Sequence, residues 1–236
     1  MLGRQFNGRP NIRTEHIMSV HLQREIERVK KSILALCAIV EDQVQMAVRA
    51  LLERDADLAR CAEERDADID QREVEVEEDC LKILALHQPV AIDLRFIVAA
   101  MKINNDLERI GDLAVNIARK AVTFIEETQM EIRFDIAGMW DKTQAMLRDS
   151  LDALVNMDGA LAADVCRRDD EVDRIKHEIR VGIEDAIRRE PEQVRPLMRL
   201  LAVSRNLERI ADCATNIAED VIYMSEGRII RHTKEG

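Results

Sequence analysis

Apolar residues recur three or four positions apart along most of the chain, beginning with Ile26, Val29, Ile33, Leu36, Val40, Val44, Ala47 and Leu51. That spacing puts them on one face of a helix, so a first long amphipathic helix is predicted from near Val20 to about Arg54. After a polar corner near Asp55 to Asp57, a second helix is expected from about Leu58 to Leu86. Its core side carries Leu58, Ala62, Ile69, Val76, Cys80, Ile83 and His87, and the His87-Gln88-Pro89 step ends it because proline cannot continue the ladder. A third helix runs from about Ile92 to Glu127. The stretch from Thr128 to Asp135 breaks the period. Beyond it the pattern predicts helices over about Asp135 to Met157, Leu161 to Arg188 and Glu192 to Glu226, the last with Pro191 at its start and Gly227 as its stop. Residues 1–15 lack the pattern and are read as a flexible arm.

The third and sixth helices share a stretch. Ile103 to Ala118, INNDLERIGDLAVNIA, returns as Val203 to Ala218, VSRNLERIADCATNIA, with nine of sixteen positions identical. On a helical wheel Leu107, Ile110, Gly111, Ala114, Ile117 and Ala118 fall on one face, which is core. DADID at Asp66 to Asp70 is echoed by DDEVD at Asp169 to Asp173. The chain is therefore a duplication, with a first three-helix repeat over residues 16–128 and a second over 129–236. The copies lie 103 residues apart at the aspartates and 100 apart at the signature, so the first holds three extra residues, placed in the turn around Ala85 to Asp93. Long helices with short connections lie antiparallel, and the fold class is all-α: two tandem three-helix bundles.

Composition agrees and removes some functions. Charged residues make up 34% of the chain with only eight glycines and four prolines, a profile of long helices. A net charge of -11 disfavours nucleic acid as a partner. The longest uninterrupted apolar run, Ile33 to Val40, is far short of the roughly 20 residues a bilayer span needs. No leader is expected, and Cys37, Cys61, Cys80, Cys166 and Cys213, with no Cys-x-x-Cys pair, read as small core residues of a cytoplasmic protein. Paired amphipathic bundles suit a homodimer.

The chemistry sits beside the core stripe. Glu108, Asp112 and Asn116 stand four apart, as do Glu208, Asp212 and Asn216. Two carboxylates one turn apart repel, at about 0.2–0.5 kcal/mol per pair. Two readings offset that cost: a hard cation held by oxygen ligands, or a solvated face neutralised by Arg109 and Arg209. Because the second and third helices of a bundle are neighbours, Asp66 and Asp70 can face Glu108 and Asp112 across a groove, with Asn116 adding an amide oxygen. Asp169, Asp173, Glu208 and Asp212 repeat the arrangement. Oxygen-only ligands favour iron, manganese, magnesium or calcium over a closed zinc site. Lys176 and Arg180 stand where the first copy has Glu73 and Glu77, and Asn206 replaces Asp106, so the second site should hold less positive charge. His16, His21, His87, His177 and His232 do not stand one turn from a carboxylate pair in both copies, and the Glu-x-x-His di-iron pattern is absent. No phosphate loop, nucleophile elbow or Ser/His/Asp set is found, so no conventional enzyme is expected. The rival reading is a metal-dependent phosphohydrolase, with Arg109 and Arg209 as its phosphate-binding candidates.

At DLERIGDLAVNIA and its twin NLERIADCATNIA, preceded by DADID and DDEVD, the chain resembles the PhoU family of phosphate-specific transport accessory proteins over nearly everything after residue 20. The resemblance implies six long antiparallel helices in two repeats related by pseudo-two-fold symmetry. It also implies Glu/Asp-x-x-x-Asp motifs that hold iron or zinc clusters on the outer surface. Those motifs fall here on Asp66/Asp70, Glu108/Asp112, Asp169/Asp173 and Glu208/Asp212. The implied role is to repress the phosphate-starvation response when phosphate is plentiful. The implied partners are the ATPase and membrane subunits of the phosphate ABC transporter and the cytoplasmic region of a sensor histidine kinase, so the protein would lie peripheral to the membrane.

Overall fold

The computed structural model describes residues 12–226, and every regular element in it is helical. The first half comprises α1 (Ile12–Glu53), α2 (Ala56–Glu64), α3 (Asp66–His87) and α4 (Ala91–Glu127). The second comprises α5 (Ile136–Asn156), α6 (Gly159–Arg189), a 3-10 turn (Pro191–Gln193) and α7 (Val194–Glu226). Six helices are long and one is short. α1 begins well before Val20, so residues 12–15 of the expected arm are helical; residues 1–11 and Gly227 lie outside the described part. Among the described residues no helix is long and apolar enough to cross a membrane.

Corners repeat between the halves because the residues that make them repeat. Asp55 caps α2 by accepting from the Asp57 and Leu58 N–H groups at 3.0 and 2.9 Å. Asp158, 103 residues on, caps α6 through Ala160 and Leu161, both at 3.0 Å. Each cap follows a left-handed residue, Arg54 or Met157. Arg54 also donates to the Thr128 and Ile125 carbonyls at the C-terminus of α4, where a cation suits the orphan acceptors. The coil between α3 and α4, residues 88–90, contains the three extra residues of the first copy.

The single second helix expected from Leu58 to Leu86 is instead two, α2 and α3, bent at Arg65. The cause is a side chain from α1. Buried Gln43 donates its amide to the Ala62 carbonyl at 3.0 Å, the acceptor an unbroken helix would give to the Asp66 N–H. Arg65 pairs with Asp42 beside the break. In the second half Met146 replaces Gln43 and offers no donor, and α6 runs straight through the matching place.

All the core positions named for the first helix and for the signature are buried. In the second helix Leu58 and His87 are only half-buried. Cys61 is exposed on the outer side of the short α2, which corrects its assignment to the core. One hydrophobic cluster runs through both halves. The halves join where α4 packs antiparallel on α7 and α1 packs on α5. Lys102 meets Asp220 at 3.1 Å and Asn216 meets Asp106 at 3.4 Å across the first seam, while Arg148 meets Glu41 at 3.2 Å across the second.

Gly111 keeps the α1–α3–α4 junction closed. A Cβ there would lie 3.3 Å from the Gln43 Oε1 and 3.3 Å from two Ile69 carbons. The second copy has Ala211 and carries the smaller Val172 in place of Ile69. Gly111→Ala should therefore lose about 1 kcal/mol net, the overpacking exceeding the gain in helix propensity. Ile69→Val with Gly111→Ala should recover most of it. Urea denaturation of the two single variants and the double tests the coupling; strictly additive losses would mean that the contact is not the cause.

Candidate functional site

The bend at Arg65 decides how the first acidic face is built. It restarts the helix at Asp66, which puts Asp66 in the first turn of α3 where the helix dipole favours a negative charge. Asp70 and Glu73 follow on the same flank, and α4 brings Glu108 and Asp112 alongside. Asp66, Glu73 and Glu108 are half-buried, while Asp70, Asp112 and Asn116 are exposed. Burial raises the Glu108 carboxyl above the ordinary range, and repulsion from Asp112, Glu73, Asp70 and Asp66 adds to it. Burial likewise raises Asp66, with Asp70 and Asp112 adding repulsion against the pull of the Gln43 amide and Arg119. Glu73 rises through burial, then Glu77 and Asp70. These acids share one field. Glu73 is also held by Asn104, which donates to its carboxylate at 3.2 Å and its carbonyl at 2.9 Å. A lone buried asparagine on a core face gave no spacing signal by which to find it.

Arg109 is exposed, as is Arg209, and neither closes a salt bridge to the acid pairs among the described residues. The neutralising arginine of the second sequence reading is therefore not formed.

The second face repeats the acids and adds a cation. Burial raises Asp169, with Asp173, Asp170 and Glu208 following. Asp212, although exposed at its surface, is pushed up to about 6 by desolvation, then by Glu208, Asp169 and Asp173, against the pull of Lys176. Lys176 reaches Glu208 at 2.6 Å and Asp173 at 3.4 Å. Those bonds hold its ammonium in the charged form. Of the two basic departures only Lys176 enters the face: Arg180 turns to Glu184 at 3.1 Å and to the His177 ring at 3.3 Å. Asn216 is drawn away from the face into the α4–α7 seam by Asp106.

Among the described residues no three acid, imidazole or thiol side chains gather into a ready-made ion cage. The donor set of the first half nevertheless suits a hard cation: carboxylate oxygens from two rods, with Asp66, Glu73 and Glu108 raised by burial and then by their neighbours, and Arg119 held by Glu63 at 2.7 Å. In the second half the Lys176 ammonium already supplies one positive charge. His21, His87 and His177 are not drawn into either set, and the side chains of His16 and His232 lie outside the described residues.

A duplicated, wholly helical bundle with an acid face on each copy defines the class of protein, and comparison with known proteins gives the family. The PhoU domain model matches residues 33–121 and 136–221. The two matches begin 103 residues apart and end 100 apart, the offsets of the internal repeat. The phosphate-specific transport system accessory protein PhoU homolog of Pseudomonas putida is 39% identical over 92% of this chain and 85% of its own length. Homolog 1 of Thermotoga maritima is 32% identical over 92% and 94%. The crystal structure of PhoU from Pseudomonas aeruginosa superposes with a TM-score of 0.85 at 37% identity, covering 87% of this chain and 99% of that one. The chain belongs to the PhoU family.

The raised acids have a consequence for stability. Asp212 in the native chain keeps its proton up to about pH 6, whereas the unfolded chain releases it near 3.8. Its contribution is therefore present below the lower value and lost as pH rises through the upper one. In chelator-treated protein, Asp212→Asn should raise the thermal midpoint near about pH 7.5, and the gain should vanish below about pH 4. Thermal scans at both ends check the sign.

Proposed function

We propose that this chain is a regulatory adaptor of phosphate uptake: it represses the phosphate-starvation response by docking on the ATPase and membrane subunits of a phosphate ABC transporter and on a sensor histidine kinase. The observation that carries the reading is the family match over both copies, joined to relatives whose names describe accessory proteins of phosphate-specific transport. Such an adaptor works as a docking equilibrium. It shifts its partner's conformational population by no more than the difference between its affinities for the two states. Docking needs an apolar surface, and the α3–α4 turn offers one: Leu86, Val90, Ile92 and Leu94 are exposed around it. The protein acts in the cytoplasm as a homodimer and performs no catalysis of its own.

The acid faces hold cations in this reading. In the first, Asp66, Asp70, Glu108 and Asp112 supply the oxygens and Asn116 an amide. In the second, Asp169, Asp173, Glu208 and Asp212 do so with Lys176 competing and Asn216 engaged elsewhere. The bound ion, whether iron, zinc, manganese or magnesium, supplies positive charge that relieves the repulsion and stiffens the rods that present the docking surface.

Two outcomes are expected. Elemental analysis of protein purified without chelator should find more metal in the first face than in the second; Glu108→Gln with Asp112→Asn should remove the larger share, and Lys176→Gln should raise the occupancy of the second face. Equal loss from Glu208→Gln with Asp212→Asn would contradict the asymmetry. In phosphate-replete cells the tagged chain should capture the transporter ATPase, and Leu86→Glu with Ile92→Glu should abolish capture without lowering the thermal midpoint. Capture that survives the double change would remove the α3–α4 turn from the docking surface, and no capture by the parent chain would remove the adaptor reading.

A further inference from the structure

The two copies also differ in charge at a place that neither acid face includes. Across the seam, Lys102 of α4 is paired with buried Asp220 of α7 at 3.1 Å. The corresponding positions on the other side of the repeat are Ala202 and Lys120. There the long side chain is gone and the carboxylate has become an ammonium. The result is an open cleft of about 440 Å³ between α4 and α7, lined by Lys120, Val194, Arg195, Met198, Arg199 and Ala202. Its twin side carries Ala99 where the cleft has Arg199.

Three cations thus line one cleft of a chain whose net charge is -11. Glu127 holds the Arg199 guanidinium through bonds of 3.0 and 2.5 Å, which fixes its orientation and neutralises one charge. Neither Lys120 nor Arg195 comes within ion-pair distance of a carboxylate among the described residues, although Arg195 also acts on the Glu127 carboxylate, and Lys120 is half-buried. With one carboxylate among three cations, the cleft keeps a surplus of positive charge that an anion would offset. Guanidinium forks match the planar or tetrahedral oxygens of phosphoryl groups, and an ammonium adds a point charge. Met198 and Val194, both well exposed, give the same cleft an apolar wall. The volume is that of a site for a small metabolite.

We propose that the cleft lined by Lys120, Arg195 and Arg199 binds the phosphoryl groups of a small metabolite, with Met198 and Val194 against its apolar part. The site goes beyond the adaptor reading and stands or falls without it, since it is read by binding to the isolated chain. It is a different place from Arg109 and Arg209, which are not part of the cleft.

The test titrates chelator-treated full-length protein with ATP, pyrophosphate, inorganic phosphate and citrate at constant ionic strength, read by calorimetry. Saturable binding of ATP or pyrophosphate is expected, with citrate weaker. ATP tighter than pyrophosphate identifies a nucleotide-like source; equal affinities identify a bare phosphoryl chain; either upholds the site. Lys120→Asp with Ala202→Lys transplants the twin's ion pair, fills the cleft and should weaken binding roughly tenfold or more. Lys142→Gln, which removes the same net charge from a remote pair with Glu171, should leave binding unchanged. Should the transplant fail to fold, Arg195→Gln at an exposed position should still weaken binding roughly fivefold. Absence of saturable binding, citrate binding as tightly as the phosphoryl ligands, or equal loss in the Lys142→Gln control would overturn the proposal.

Discussion

The packing of α4 against α7 is the constraint from which the rest of the molecule follows. Each helix is the signature-bearing rod of its own copy, and each buries its apolar stripe in the single hydrophobic cluster common to both halves. With that stripe committed inward, the flanking stripe of Glu108 and Asp112, and of Glu208 and Asp212, lies toward α3 and α6 instead of toward the seam. The antiparallel direction then brings corresponding positions of the two copies to opposite ends of one interface. Lys102 with Asp220 closes one end; Lys120 with Arg195 and Arg199 opens the other.

Duplication with divergence explains why similar backbones carry different electrostatics. Position 73 is a glutamate and its counterpart 176 a lysine, so one face accumulates repulsion while the other is bridged internally at 2.6 Å. Gln43 and Met146 differ in the same way: the amide interrupts the ladder after Ala62 and gives Asp66 a first-turn position, whereas the thioether leaves α6 straight. The first face is therefore assembled around a bend and the second along a continuous rod.

Core, acid faces and cleft are separable in energetic terms. The core rests on apolar burial, which is insensitive to the surface charges. The faces are held in a state of repulsion that a bound cation, a proton or the Lys176 ammonium can relieve. That makes them responsive to the surroundings, while the buried stripe beneath them keeps their spacing constant.

The sequence by itself determined the helical class, the duplication, the break between helices near residues 128–135 and the apolar stripes, because helical periodicity is a local property of the chain. It also showed which acids lie one turn apart, and Asp66, Asp70, Glu108 and Asp112 do influence one another across α3 and α4. Only the tertiary structure decided the rest. The bend at Arg65 depends on Gln43, nineteen residues earlier on another helix. Asn216 is taken by Asp106, and Arg180 by its own helix, so neither acts where its position in the repeat suggested. The cationic cleft was invisible because Lys120 and Arg199 lie far apart in the chain and meet only when α4 and α7 pack. A pattern within one helix reports which side chains share a face; which other helix that face meets depends on long-range packing.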